Sequence, residues 1–270
     1  MKLSIIMVNL NNRDGLRRTL ESVACQNFTD YEQIVIDGGS TDGSVEVLRE
    51  YAGRLAYWVS EPDGGIYQGM NKGIRAARGE YCYFLNSGDT LISPDTLAKV
   101  FGDREPTEDI LSGSVVRELT PGDDLVRKGE IEVTMNRFYL RPIYHQATFI
   151  RRELFDRFGY YDEKLRIVGD WKFFIQAVVL GNCSFRTLEF VVSYFESNGI
   201  SSRKMPPHIW EAQMREKRKM MAELIPPRIL ADYVNWHSRP SDFFDQQLPR
   251  IRKKRLAQIV FQLLVKLRIF

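Results

Sequence analysis

Four short apolar runs, each stopped by a polar residue and followed by a turn and an amphipathic stretch, constrain this fold more than any other feature. Residues 3–8 (LSIIMV) stop at Asn9; a polar turn at 11–15 follows, then Leu16, Leu20 and Val23 recur at helical spacing. Residues 33–37 (QIVID) read as a second buried strand, 38–43 as its glycine-rich loop, and 44–51 as a helix that Asp42 or Ser44 could cap. Residues 55–59 make a third strand and 66–77 a helix ended by Gly79. Residues 81–85 make a fourth strand. Strands alternating with helices of about ten residues predict βαβ units and a parallel sheet covered on both faces.

Such a sheet binds ligands at the carboxyl ends of its strands. Asn9, Asp37, Asn86 and Asp89 all fall just past an expected strand end, so the pattern predicts that they share one rim. The loop IDGGSTDGS (36–44) lacks GxGxxG spacing, and no GxxxxGK[ST] loop occurs, which disfavours both common nucleotide folds. Asp37 could accept hydrogen bonds from a base or ribose while the glycines let a ligand approach the backbone; a tight turn with Asp42 as cap is the alternative.

The second half is less regular. Residues 102–136 read as an excursion with one strand at 110–117, residues 144–150 as a return to the sheet, 152–158 as a short helix and 170–180 as a stronger one. Beyond Pro206-Pro207 the chain reads as mostly helical. The 270 residues, 44% hydrophobic, suffice for one substantial α/β domain or two small ones. Three dispersed cysteines offer no disulfide or zinc pattern and suit a reducing compartment. The N-terminal apolar run is too short for a signal peptide and no stretch reaches the roughly 18 apolar residues of a membrane span, so a cytoplasmic protein is expected. Residues 250–270 carry seven basic side chains and no acidic one, leaving the body mildly acidic, which argues against a domain-wide nucleic-acid surface.

The stretch EPDGGIYQGMNKGIRAARGEYCYFLNSGD (61–89), with MVNLN at the first strand, IDGGSTDG at the second, and HQATF (145–149) and GDWKFF (169–174) later, resembles family 2 glycosyltransferases of the GT-A fold. The likeness is to bacterial enzymes of exopolysaccharide and colanic-acid-type synthesis. It implies a Rossmann-like, mostly parallel sheet with helices on both faces over residues 1–205 (donor-binding 1–100, acceptor side 101–205), and a helical extension over 206–270. It implies an inverting enzyme that moves one sugar from a nucleoside diphosphate sugar, with UDP expected, to a hydroxyl of a glycan or lipid-linked acceptor.

By the same resemblance, Asn9, Asn11, Asp37, Gly39, Ser40, Asp63, Asn71, Lys72, Asn86 and Ser87 are expected at the donor nucleotide, and Asp89 at a divalent ion. Mn²⁺ or Mg²⁺ would neutralise the charge that develops on a departing diphosphate. Relatives commonly have Asp-x-Asp where this chain has Asn86-Ser87-Gly88-Asp89, leaving one carboxylate; His145 is a candidate second ligand, suiting Mn²⁺ better than Mg²⁺. Gln68-Gly69 replaces the usual Asp-Ala. Asp170 is the expected general base, with an N-cap for the following helix as its structural alternative. Asn198-Gly199-Ile200-Ser201 resembles a loop that closes over the donor, and the absence of Gln-x-x-Arg-Trp predicts one sugar per encounter.

Leu256, Ile259, Val260, Leu263, Leu264 and Leu267 form one helical stripe flanked by basic residues, fit for peripheral contact with an anionic membrane or for packing on the protein or a second subunit. The competing functional reading is a non-catalytic nucleotide-sugar-binding relative whose metal site is degraded. A nucleotidyltransferase would carry a glycine-rich basic loop after the first strand, which Val8-Asn9-Leu10-Asn11-Asn12 does not supply.

Overall fold

The structure, a computed structural model, describes residues 1–102, 105–120, 123–129, 133–195 and 206–238. The 198–201 loop and the striped segment 250–270 lie outside them. Cα packing gives two compact units, Met1–Met220 and Met221–Phe270.

The strands are β1 (Leu3–Asn9), β2 (Tyr31–Asp37), β3 (Tyr57–Ser60), β4 (Tyr81–Phe84), β5 (Thr90–Leu91), β6 (Ile110–Thr120), β7 (Asp123–Arg127), β8 (Thr148–Arg151) and β9 (Phe185–Phe195). Among the described residues they form one sheet in the order β3-β2-β1-β4-β8-β6-β9-β5, with β7 on β6. The expected parallel block is there: β1 runs parallel to β2 and β4, and β2 to β3. Beyond β4 the sheet is mixed, because β8 returns antiparallel to both β4 and β6 while β6 and β9 are parallel.

Each residue of β1 is buried, which is why its sequence is continuously apolar rather than alternating. One face is covered by α1 (Arg13–Ala24) and α2 (Ser44–Tyr51): Leu16, Leu20, Val47 and Leu48 pack on Met7 and Val35. Leu97 and Val100 of α4 (Thr96–Phe101) extend that layer over Leu3, Ile5, Tyr81 and Tyr83. The other face carries α3 (Ile66–Ala76), which approaches β1 through two glycines one turn apart. A Cβ at Gly69 would lie 2.9 Å from Val8, and one at Gly73 would overlap Ile6. Beyond it, Phe84, Phe155, Tyr161 and Phe173 make an aromatic cluster with ring centroids 4.6–6.0 Å apart. It joins β4 to α6 (Glu153–Phe158) and α7 (Gly169–Phe174), which follow α5 (Met135–Leu140).

The helix expected over 170–180 is two pieces: α7 begins at Gly169, and Ile175–Leu180 continues as a π-helical turn. α8 (Pro207–Leu224) and α9 (Pro227–Ser238) supply the expected helical extension, and no helix among the described residues is long and apolar enough to cross a membrane.

Alanine is a better helix former than glycine by about 1 kcal/mol, yet Gly73→Ala should destabilise the protein by about 1–3 kcal/mol because the added methyl overpacks Ile6. Urea unfolding measures this; a variant as stable as the parent would show that α3 is free to lift off β1.

Candidate functional site at the carboxyl rim of the sheet

The strand order reverses between β1 and β4, the position at which sheets of this kind open a ligand crevice at their carboxyl ends. At its heart Asp37 is fully buried. Its Oδ1 accepts from the Asn9 amide (2.6 Å) and the Ser40 hydroxyl (2.6 Å). Its Oδ2 accepts from the backbone N–H groups of Gly39 (3.2 Å) and Ser40 (2.9 Å) and from the Ser60 hydroxyl (2.6 Å). Burial alone would raise its pKa; the hydroxyl, backbone and amide donors outweigh burial and hold it below the usual aspartate range. Asp37 therefore ties together the ends of β1, β2 and β3.

Around this hub the loops lock. The Ser40 hydroxyl accepts from the Asn11 N–H (2.7 Å) and the Asn11 carbonyl oxygen Oδ1 accepts from the Thr41 N–H (2.9 Å). Asn11 takes a positive φ of 48°, which asparagine tolerates better than most residues. A side chain at Gly39, itself at φ +84°, would press on Pro62 at 3.0 Å. Asp63 accepts from the Gly65 N–H (3.0 Å), and a Cβ at Gly38 or Gly69 would lie 3.2 or 3.3 Å from its carboxylate, so those glycines make the space it occupies.

The exit of β4 is a turn closed by the Asp89 N–H on the Asn86 carbonyl (3.0 Å), with Gly88 at φ +104° in its third position, where L side chains are strained. The Ser87 N–H donates to the Val8 carbonyl (3.2 Å) and the Asn12 amide to the Ser87 carbonyl (3.0 Å), fastening this turn across the crevice to β1. Asp89 is buried at 5% exposure. Among the described residues no three His, Cys, Asp or Glu side chains converge on a cation-sized space. A single carboxylate suits a divalent ion that brings diphosphate oxygens and water as its remaining ligands rather than one caged by protein.

Several expected residues have partners within the protein. Asn71 is buried, its amide donating to the Tyr161 carbonyl (2.9 Å) and Glu163 (2.9 Å) and accepting from the Tyr161 N–H (3.0 Å), so both its donors hold the loop after α6. Lys72 pairs with Glu61 at 2.8 Å. Gln68, in place of the usual Asp, accepts from the Gly64 N–H at 2.6 Å. His145, expected beside the metal, directs Nδ1 to Oδ2 of Asp170 at 3.0 Å, while its Nε2 is enclosed without a partner; neither nitrogen is open to a cation in this arrangement.

Asp170 lies in the first turn of α7 and is not its N-cap, a position held by Val168. Its Oδ1 accepts from the Tyr67 hydroxyl (2.9 Å) and the Trp171 N–H (2.9 Å). Burial, then the adjacent charge of Asp170, hold the Tyr67 phenol well above its ordinary range, so it keeps its proton and donates. The helix start is pinned by Glu216 of α8, which accepts from the Arg166 and Ile167 N–H groups at 2.9 Å, and by the Trp171 indole, which donates to the Phe138 carbonyl at 2.7 Å. The register Tyr83↔Phe149 brings the 145–147 turn beside the carboxyl end of β4, and the Tyr83 hydroxyl donates to the Gln146 carbonyl (2.7 Å). Sequence reasoning missed Tyr67; it lies in the motif stretch, but its aromatic ring on a buried helical face gave no chemical signal.

The sequence profile of glycosyl transferase family 2 matches residues 4–161. A PGL/p-HBAD biosynthesis glycosyltransferase of Mycobacterium bovis is 34% identical, covering 74% of this chain and 78% of that protein. Two solved structures share the fold. Staphylococcus aureus TarS 1–349 in complex with UDP-GlcNAc has a TM-score of 0.65 at 23% identity, covering 96% of this chain and 78% of TarS 1–349. A mannosyltransferase of Pyrobaculum calidifontis in complex with GDP-Man and Mn²⁺ has a TM-score of 0.62 at 20% identity, covering 100% and 81%.

Replacing Asp37 by Asn leaves buried donors unpaired and should cost at least about 2 kcal/mol at neutral pH. A carboxylate with a depressed folded-state pKa contributes above its unfolded pKa, near about 3.9, and that contribution is lost as pH falls through the folded value. The stability gap between parent and variant should therefore narrow below about pH 4. Denaturant curves across that range check it; a gap constant into acid would remove Asp37 from the role of hub.

Proposed function

The chain belongs to glycosyl transferase family 2, with a GT-A fold, and on that premise we propose that it transfers one sugar from a nucleoside diphosphate sugar to an acceptor hydroxyl with inversion. The observation that carries this reading is the carboxylate of Asp170, fixed at the rim by three hydrogen bonds and held at 12% side-chain exposure. In this reaction the acceptor's O–H proton passes to Asp170 as its oxygen attacks the anomeric carbon, and the bond to the nucleoside diphosphate breaks on the opposite face. General-base assistance of this kind is worth about 10²–10⁴-fold.

The donor lies along Asn9, Asn11, Gly39, Ser40, Asp63, Asn86 and Ser87 in this proposal, with Asp37 shaping the crevice from beneath. Asp89 would hold Mn²⁺ or Mg²⁺ together with the diphosphate. When bound, the ion offsets the negative charge of the departing group. The complexes of TarS with UDP-GlcNAc and of the mannosyltransferase with GDP-Man support a donor of nucleotide-sugar type, and the acceptor we propose is a glycan or lipid-linked hydroxyl. The donor we expect is a UDP-sugar, and the basic, striped segment 250–270 is the proposed contact with a membrane that carries a lipid-linked acceptor.

A binding protein without turnover draws its support from Asp89 being the lone carboxylate of its motif. Nucleotide sugars screened with and without Mn²⁺ separate the two readings: the enzyme releases nucleoside diphosphate, whereas a binding protein is only thermally stabilised. Asp170→Asn should stay folded, with a melting temperature lowered by the donor it leaves unpaired, and keep donor-induced stabilisation while losing at least about 100-fold in turnover. An Asn variant of undiminished activity would refute Asp170 as the base.

A further inference from the structure

An ionised carboxylate offers about four acceptor positions. For Asp170 three are occupied: two on Oδ1 by the Tyr67 hydroxyl and the Trp171 N–H, and one on Oδ2 by Nδ1 of His145. We propose that Tyr67 and His145 are positioning residues that leave one acceptor position open, on Oδ2, and aim it at the incoming hydroxyl. This rests on the reading of Asp170 as the base and adds to it how the base is held.

The two donors come from separate elements, each fixed independently. Tyr67 lies in the first turn of α3, its ring against Gly169, where a Cβ would fall 2.8 Å from the ring, and 5.5 Å from the ring of Tyr161. Only glycine before Asp170 lets phenol and carboxylate meet. His145 lies in the turn ahead of β8, held by the Tyr83 hydroxyl on the Gln146 carbonyl and by the Thr148 hydroxyl on the Tyr144 carbonyl (2.7 Å). The carboxylate can only accept, so the proton is on Nδ1 of His145. Its Nε2 is enclosed and without a partner, leaving the bond to Asp170 as the ring's only polar tie among the described residues. Small displacements of a reacting group, on the order of 1 Å, cost about 100-fold in rate, so removing either donor should act on turnover and not on donor binding.

The test uses the full chain, with release of nucleoside diphosphate from UDP-N-acetylglucosamine or GDP-mannose in the presence of Mn²⁺ and octyl glycoside acceptors. Tyr67→Phe and His145→Ala should each lower kcat about 10- to 100-fold with donor KM within about twofold. His145→Asn, whose amide nitrogen stands where Nδ1 stood, should restore kcat to within about threefold of the parent. His145→Ala on an Asp170→Asn background should cost nothing further, because a positioning residue has no effect once the group it positions is gone. A second readout needs no turnover: with three histidines in the chain, the His145 resonance, identified by its loss in His145→Asn, should show the Nδ1–H tautomer and lose it in Asp170→Asn. Parental kcat in His145→Ala, an added loss on the Asp170→Asn background, or an Nε2–H tautomer would overturn the positioning role. An inactive Asp170→Asn beside a fully active His145→Ala sinks that role alone, whereas an active Asp170→Asn sinks the base assignment with it.

Discussion

One buried carboxylate organises this molecule. At the end of β2, Asp37 gathers five hydrogen bonds from the ends of β1 and β3 and from the loop that follows its own strand. Isolated ions are expensive to bury, so the arrangement persists only because backbone N–H groups, two hydroxyls and an amide replace water completely. The rim then inherits its order from that satisfaction: Ser40 links Asp37 to Asn11, Asn12 reaches the turn after β4, and that turn presents Asp89. Residues that read as ligand contacts are, in this arrangement, first the means by which the crevice is built.

The second carboxylate of the site works under the opposite demand. Asp37 is sealed, whereas the Asp170 side chain keeps 12% exposure, and its donors come from α3, from the turn ahead of β8 and from its own helix. That difference follows from what each charge must do. A structural charge is most useful when no water can compete for it; the proton acceptor proposed for Asp170 must stay reachable. The glycines at 69, 73 and 169 serve both ends, since they let α3 settle on β1 and then let α7 approach α3.

The parallel block was legible because its residues are buried on both faces and its turns carry unambiguous chemistry; the helix at 44–51 agrees residue for residue with α2. β9 was not, since its partly exposed residues and two register shifts against β6 break any period of two. The π-helical turn at Ile175–Leu180 was invisible for another reason: its composition is that of an ordinary buried helix. The placement of Asp89 just past β4 was readable from motif and strand position, and that of Asp170 at the start of a helix from the helical pattern. The pairing of His145 with Asp170 was not, because nothing local relates residues 25 apart, and only the antiparallel return of β8 along β4 makes them neighbours.

That return strand has a wider consequence. Three residue pairs hydrogen-bond β8 to β4, so the element that introduces His145 and the element that introduces Asp89 belong to one continuous ladder rather than to two lobes. A change in that ladder would therefore shift both turns together, so the distance between the turn that carries Asp89 and the turn that carries His145 is set by backbone pairing and not by the loops around it.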